Sequence, residues 1–213
     1  MQDNNELMQF LSVSWLYEQY QNLIGARHER RWLAEKYWRL NGGEKVVDIG
    51  CGPGVALDYL PRDVLYVGFD ISEDYIRTAQ KKFGKRATFI VSTAREFLYK
   101  PDSRLNSSDL VLCNGVLHHL EDREAIEVLQ LSKEIMSPLG RLVCIEPAFL
   151  VHQEHISRWI MSRDRGSHIR TEQEWQELVS SVFHTFTTSI ATGLIRIPYS
   201  HIIIECQKEA RGL

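Results

Sequence analysis

The sequence predicts an α/β fold: a doubly wound, largely parallel sheet behind an N-terminal helical extension. Three observations predict it. From residue 45 onward, short apolar runs alternate with helix-like amphipathic stretches, the pattern of βαβ units with crossover helices on both sheet faces. The run VVDI passes directly into Gly50-Cys51-Gly52-Pro53-Gly54, a glycine turn at a C-terminal strand end, where doubly wound sheets bind ligands. The tail TFTTSIATGLIRIPYSHIIIECQ holds two β-rich runs about Gly193 and Pro198 with no helix between them. They read as an antiparallel pair on the sheet edge.

The elements follow in order. Residues 7 to 40 have helical spacing in two stretches broken near Gly25, and Asn41-Gly42-Gly43 ends the second. The strands are KVVDI, LYVGFD, ATFIV, DLVLCN and RLVCIE; between them ALDYL, EDYIRTAQKKF, AREFLY and REAIEVLQLSKEIM read as helices. Thr171 with Glu174 forms a capping box that starts the helix TEQEWQELVSSV. At 213 residues, without repeat or linker, the chain is expected to form one domain, 1–42 as a helical cap and 43–213 as the core.

Composition narrows the function. A formal net charge of -3 argues against nucleic acid as a partner, because such binders carry a basic surplus. The four cysteines, Cys51, Cys113, Cys144 and Cys206, form no CxxC pair, so neither a zinc site nor a disulfide framework is indicated. The opening MQDNNELMQF lacks a signal-peptide pattern, and no apolar run approaches the ~20 residues of a membrane span. A cytoplasmic protein without membrane contact, monomeric or homodimeric, is the expectation.

The glycine turn indicates a nucleotide. The dinucleotide fingerprint wants Gly or Ala where this chain has Val55, and Asp48 at the strand end would repel a pyrophosphate. No GKS or GKT follows, so a P-loop is excluded. Asp48 suits instead a ligand with an ammonium group. Asp70, ending the next strand, suits ribose hydroxyls.

VVDIGCGPG, VGFDIS, LVLCNGVLHHL and RLVCIEP together resemble the successive motifs of class I S-adenosylmethionine-dependent methyltransferases of the small-molecule (type 11) kind. The resemblance covers residues 44 to 147 and implies a Rossmann-like seven-stranded sheet of order 3-2-1-4-5-7-6 with strand 7 antiparallel. It implies S-adenosylmethionine as cofactor, S-adenosylhomocysteine as product, and a small-molecule acceptor methylated on O, N or C. By position, Gly50, Cys51, Gly52 and Gly54 would approach the methionine part and Asp48 its amino group. Asp70 would hold the ribose, and Ile71, Thr93 and Ala94 would meet the adenine. Asn114 and Gly115 would close the pocket. The family often has an acid near Thr93; here the run is Ser92-Thr93-Ala94.

Methyl transfer needs alignment more than proton chemistry. His118 or His119 is the candidate base, since a neutral imidazole accepts a proton near pH 7; the alternative is packing or helix capping. Glu146, His152, Arg163 and Arg165 are candidates for the acceptor; the alternatives are a carboxylate bonded to nearby backbone for Glu146, a structural role for His152, and a solvated loop with internal salt bridges for the arginines. His152 and His155 do not match a metal-binding spacing, and no metal is expected. Tyr17 and Tyr20, three apart on one helical face, are candidates to close over the acceptor and the cofactor. A tRNA, rRNA or protein methyltransferase and a non-catalytic cofactor-binding protein are the competing readings.

Overall fold

The computed structural model describes residues 26–163 and 166–208. Helix α1 (Ala26–Leu33) runs into a π-helical turn (Ala34–Trp38). Then follow β1 (Lys45–Ile49), β2 (Leu65–Asp70), α2 (Glu73–Phe83), β3 (Ala87–Val91), α3 (Ala94–Tyr99) and β4 (Ser108–Asn114). The chain continues through α4 (Asp122–Ile135), β5 (Met136–Phe149), α5 (His155–Met161), β6 (Arg170–Thr171), α6 (Glu172–Ser180), β7 (Phe186–Thr192) and β8 (Ser200–Gln207). The sheet order is β3-β2-β1-β4-β5-β8-β7. Strands β1 to β5 pair in parallel, and β8 enters antiparallel between β5 and β7. This is the expected path; its last two strands are the seventh and eighth because the two-residue β6 pairs with β5 off that path.

Alternating side chains feed two cores, so the central strands are buried on both faces. Val47 and Ile49 pack with Val111, Cys113, Leu129, Trp175 and Val179. Val46 packs with Tyr66, Leu112, Leu33, Tyr37, Trp38, Ile76 and Phe83. The second group shows how α1 and the π turn cover the sheet. Arg141 fastens this cover, its guanidinium donating to the Tyr37 carbonyl at 2.6 Å and to the Trp38 carbonyl.

One expected helix is shorter than its sequence suggested. Residues 56–60 read as helical, yet only a 3-10 turn forms, Val55–Tyr59. Leu60 precedes Pro61 and adopts extended backbone (φ -100°, ψ 150°), as a pre-proline residue prefers. The first expected helix, before Gly25, lies outside the described residues. Among the described residues, no helix is long and apolar enough to cross a membrane.

Candidate active site

The carboxyl ends of β1, β2, β4 and β5 converge on one edge of the sheet. After β1 the chain turns through Gly50 (φ 65°), Gly52 (φ 53°) and Gly54 (φ 75°), a left-handed region that strains other residues. A Cβ at Gly50 would fall 2.5 Å from Val116 Cγ2, so this glycine lets the loop after β4 close in. Among the described residues, a Cβ at Gly52 would meet nothing within 4 Å, so the turn is open to them on this side.

Asp70 organises this turn. One carboxylate oxygen accepts from the Gly52 N–H at 2.9 Å and the other from the Ser72 N–H at 2.9 Å. The side chain stays half-buried. Next to it Ile71 is 75% exposed, an apolar side chain on the surface. Thr93 starts α3: its hydroxyl accepts from the Glu96 N–H at 3.1 Å, and the Glu96 carboxylate accepts from the Thr93 N–H at 2.9 Å and the Ser92 hydroxyl at 2.8 Å. These bonds hold the Glu96 carboxyl below its usual range. A carboxylate therefore does stand beside Thr93, supplied from three residues later. The T-x-x-E capping box was the signal for it in the sequence. Ala94 is buried in the first turn of α3.

Asp48 is 3% exposed and accepts a hydrogen bond from the Tyr66 hydroxyl at 2.5 Å. Burial pushes its carboxyl up to about 7, against the Tyr66 bond and with the help of Asp70. At the end of β4, Asn114 Oδ1 is buried without a hydrogen-bond partner among the described residues. Gly115 follows at φ 67°, its N–H donating to the Ile145 carbonyl at 2.8 Å.

Beyond Gly115 a 3-10 turn (Leu117–His119) is fixed from below by Glu146. Glu146 is 0% exposed. One oxygen accepts from the N–H groups of Val116 (3.0 Å) and Leu117 (2.9 Å). The other accepts from the His118 N–H (3.3 Å) and meets the ring Nδ1 at 2.6 Å. Of the two readings of Glu146, the hydrogen bonds match the carboxylate bonded to nearby backbone and not the one that meets an acceptor. Glu146 holds a turn whose backbone donors would otherwise be buried unpaired. Arg170 clamps the same turn from outside, donating to the carbonyls of Leu117 and Leu120 and to Asp122.

With its Nδ1 facing Glu146, His118 is buried, while His119 is exposed with its ring centroid 4.0 Å away. A Cβ at Gly166 would fall 2.0 Å from His118 Cδ2, so only glycine lets that loop cross the imidazole edge.

Residues 46–140 match the family described as "Methyltransferase domain". The chain is 33% identical over 110 residues to 27-O-demethylrifamycin SV methyltransferase of Amycolatopsis mediterranei, a match covering 48% of this chain and 38% of that protein. It is 24% identical over 148 residues to the ubiquinone biosynthesis O-methyltransferase of Vibrio cholerae, covering 66% and 58%. The chain thus spans less than two thirds of the length of either relative. In fold it is similar to the TehB-like SAM-dependent methyltransferase of Corynebacterium glutamicum, with TM-score 0.65, 17% identity, and coverage of 93% and 99%.

Residues 46–140 are thus similar to methyltransferase domains, and the chain shares the fold of a SAM-dependent methyltransferase.

Gly50, Cys51, Gly52, Gly54, Asp70, Ile71, Thr93, Asn114 and Gly115 all stand at the carboxyl ends of β1, β2, β3 and β4, spanning the switch between β1 and β4. His118 and His119 stand beside them. Other expected residues stand apart: His152 is exposed before α5, and Arg163 is exposed with its guanidinium 4.0 Å above the Trp159 ring. Tyr17, Tyr20 and Arg165 lie outside the described residues. Among those described, no group of three His, Cys, Asp or Glu side chains converges as a metal centre. Tyr66, Glu96, Glu29 and His201 are the site-edge groups that sequence reading passed over.

Proposed function

We propose that this chain transfers the methyl group of S-adenosylmethionine to an oxygen, nitrogen or carbon atom of a small-molecule acceptor, releasing S-adenosylhomocysteine. The carrying observation is the Gly50–Gly54 turn: among the described residues nothing stands within 4 Å of a Cβ at Gly52, with the Asp70 carboxylate on one side and the exposed Ile71 beyond. A ribose with free hydroxyls fits Asp70, an adenine fits Ile71 and Thr93, and a cationic amino group fits the Asp48 carboxylate. The orphaned Asn114 Oδ1 gives a further buried acceptor for a ligand N–H or O–H. S-adenosylmethionine, when bound, supplies an electrophilic methyl group on a sulfonium.

The protein's own work is then to orient and to exclude water. Glu146 and Arg170 fix the turn that carries His118 and His119 at the strand ends. That both curated relatives are named for methyl transfer to oxygen supports a small hydroxyl-bearing acceptor. The same reading makes residues 26–42 part of a helical cap on a single domain. It also places the enzyme in the cytoplasm, in keeping with four buried free thiols. Calorimetry tests the core of it: micromolar binding of S-adenosylhomocysteine, weakened at least about ten-fold by Asp70→Ala, is expected. No binding by the wild-type chain would refute it.

A further inference from the structure

A second imidazole–carboxylate pair lies at the same edge. His201, the second residue of β8, lies opposite Pro147, one position past Glu146. Its residue is 7% exposed. Ring Nε2 is 3.5 Å from Oε1 of Glu29 on α1, whose side chain is 17% exposed, and the Tyr199 ring centroid lies 5.1 Å from the imidazole. The other ring nitrogen, Nδ1, is buried with no hydrogen-bond partner among the described residues. A buried polar atom left unpaired costs about 1–3 kcal/mol, and such atoms persist where a ligand completes them.

Protonation follows from the surroundings. Burial first, and His118 second, push the His201 imidazole down to about 4, so the ring is neutral at neutral pH. Burial pushes Glu29 up to about 7. Glu29 thus gains its charge near neutrality, and its carboxylate then orients Nε2–H toward itself and leaves the lone pair on Nδ1. His118 is differently placed, with Nδ1 at Glu146 and Gly166 against its ring.

The geometry points to His201, held by Glu29, as the residue that binds the acceptor's hydroxyl group and takes its proton. This rests on the methyl-transfer reading above. The acceptor O–H bond breaks, its proton passing to Nδ1 and its electron pair remaining on oxygen. That oxygen bonds the methyl carbon as the carbon–sulfur bond of the donor breaks toward sulfur. The imidazolium, facing Glu29, afterwards returns its proton to water. Phenols and sugar alcohols share the chemistry that Nδ1 recognises.

The test uses the full chain labelled with 15N-histidine and loaded with S-adenosylhomocysteine. Catechol and methyl glucoside, at millimolar concentration, serve as phenolic and alcoholic probes. The His201 ring signals are assigned by their absence in His201→Gln. Expected are an unprotonated Nδ1 at pH 7.5 or so and a shift of that signal with at least one probe. Catechol alone marks a phenolic acceptor and the glucoside alone an alcoholic one. His201→Gln should weaken the active probe at least about ten-fold while S-adenosylhomocysteine affinity stays within about two-fold. Glu29→Gln, which retains the ring, should return part of that loss. Signals unmoved by both probes, or equal probe binding by His201→Gln, overturn the assignment. Absence of S-adenosylhomocysteine binding by the wild type strikes the methyl-transfer reading instead.

Discussion

Truncating Glu146 tests whether this carboxylate holds the turn rather than serving the acceptor. In Glu146→Ala, the N–H groups of Val116, Leu117 and His118 and the His118 ring lose the carboxylate they share, a side chain with no solvent exposure. Each buried donor left unpaired costs about 1–3 kcal/mol, though water entering the vacated space recovers part of four such losses. Removing one partner of a buried charged set costs about 3–5 kcal/mol, and that is the magnitude expected here. Against a total stability of about 5–15 kcal/mol this is a large fraction. For a chain of this size it corresponds to a melting temperature lower by roughly 6–20 °C. Glu146→Gln keeps one acceptor oxygen but turns an amide NH2 toward donors, so it should fall between wild type and alanine. Urea unfolding of the three proteins, followed by circular dichroism, measures this. A loss below about 1 kcal/mol in Glu146→Ala would refute the reasoning, because it would mean that the donors find water easily and the turn does not depend on the carboxylate.

Three further outcomes are expected. Folding raises the Asp48 pKa from 3.8 to about 7, so the native state binds this proton more tightly than the unfolded chain. The resulting stabilisation is whole below about pH 4 and fades as pH rises through 7. Asp48→Asn, which cannot ionise, should therefore gain about 2–3 kcal/mol on wild type between pH 5 and 8 in urea titrations, while binding S-adenosylhomocysteine more weakly. Gly52→Ala should cost only about 1–2 kcal/mol of stability through its left-handed backbone, since its Cβ meets nothing among the described residues. It should lose far more cofactor affinity by calorimetry, because the methyl fills the open side of the turn. Arg170→Met removes the donors to Leu117, Leu120 and Asp122, and should destabilise by about 2–4 kcal/mol in thermal unfolding.

Local signals carried most of the fold. KVVDI, LYVGFD, ATFIV, EDYIRTAQKKF and AREFLY coincide with β1, β2, β3, α2 and α3 because a change of hydrophobic period marks each boundary. The glycine turn and Asp70 were legible for a related reason: they are adjacent to strand ends that the period already fixes. The pairs Tyr66–Asp48 and Glu29–His201 were not, because they depend on which strands neighbour each other and on where α1 docks. Glu146 was legible as a strand-end carboxylate bonded either to an acceptor or to nearby backbone, and only the fold decides for the backbone. Its alternation parity places it on the face with Leu142 and Cys144, under the turn after β4, where backbone donors wait.

His201 shows a more general blind spot. Sequence reading looks for ligand groups at the carboxyl ends of strands, a rule that holds while strands run parallel. β8 runs the other way, so its first residues, Ser200 and His201, reach the ligand edge, while its last, Cys206 and Gln207, pair back toward Leu142 and Arg141 at the far end of β5. In the single antiparallel strand of the central path, the place to search is therefore before the apolar run, in PYSH, and not after it. That inversion puts an imidazole one register position beyond Glu146. It also explains why both His–carboxylate pairs draw on groups far apart in the chain: His118 with Glu146, and His201 with Glu29. The first pair has its hydrogen bonds satisfied within the fold. The second leaves Nδ1 unpaired among the described residues, and its proposed binding role rests on that difference.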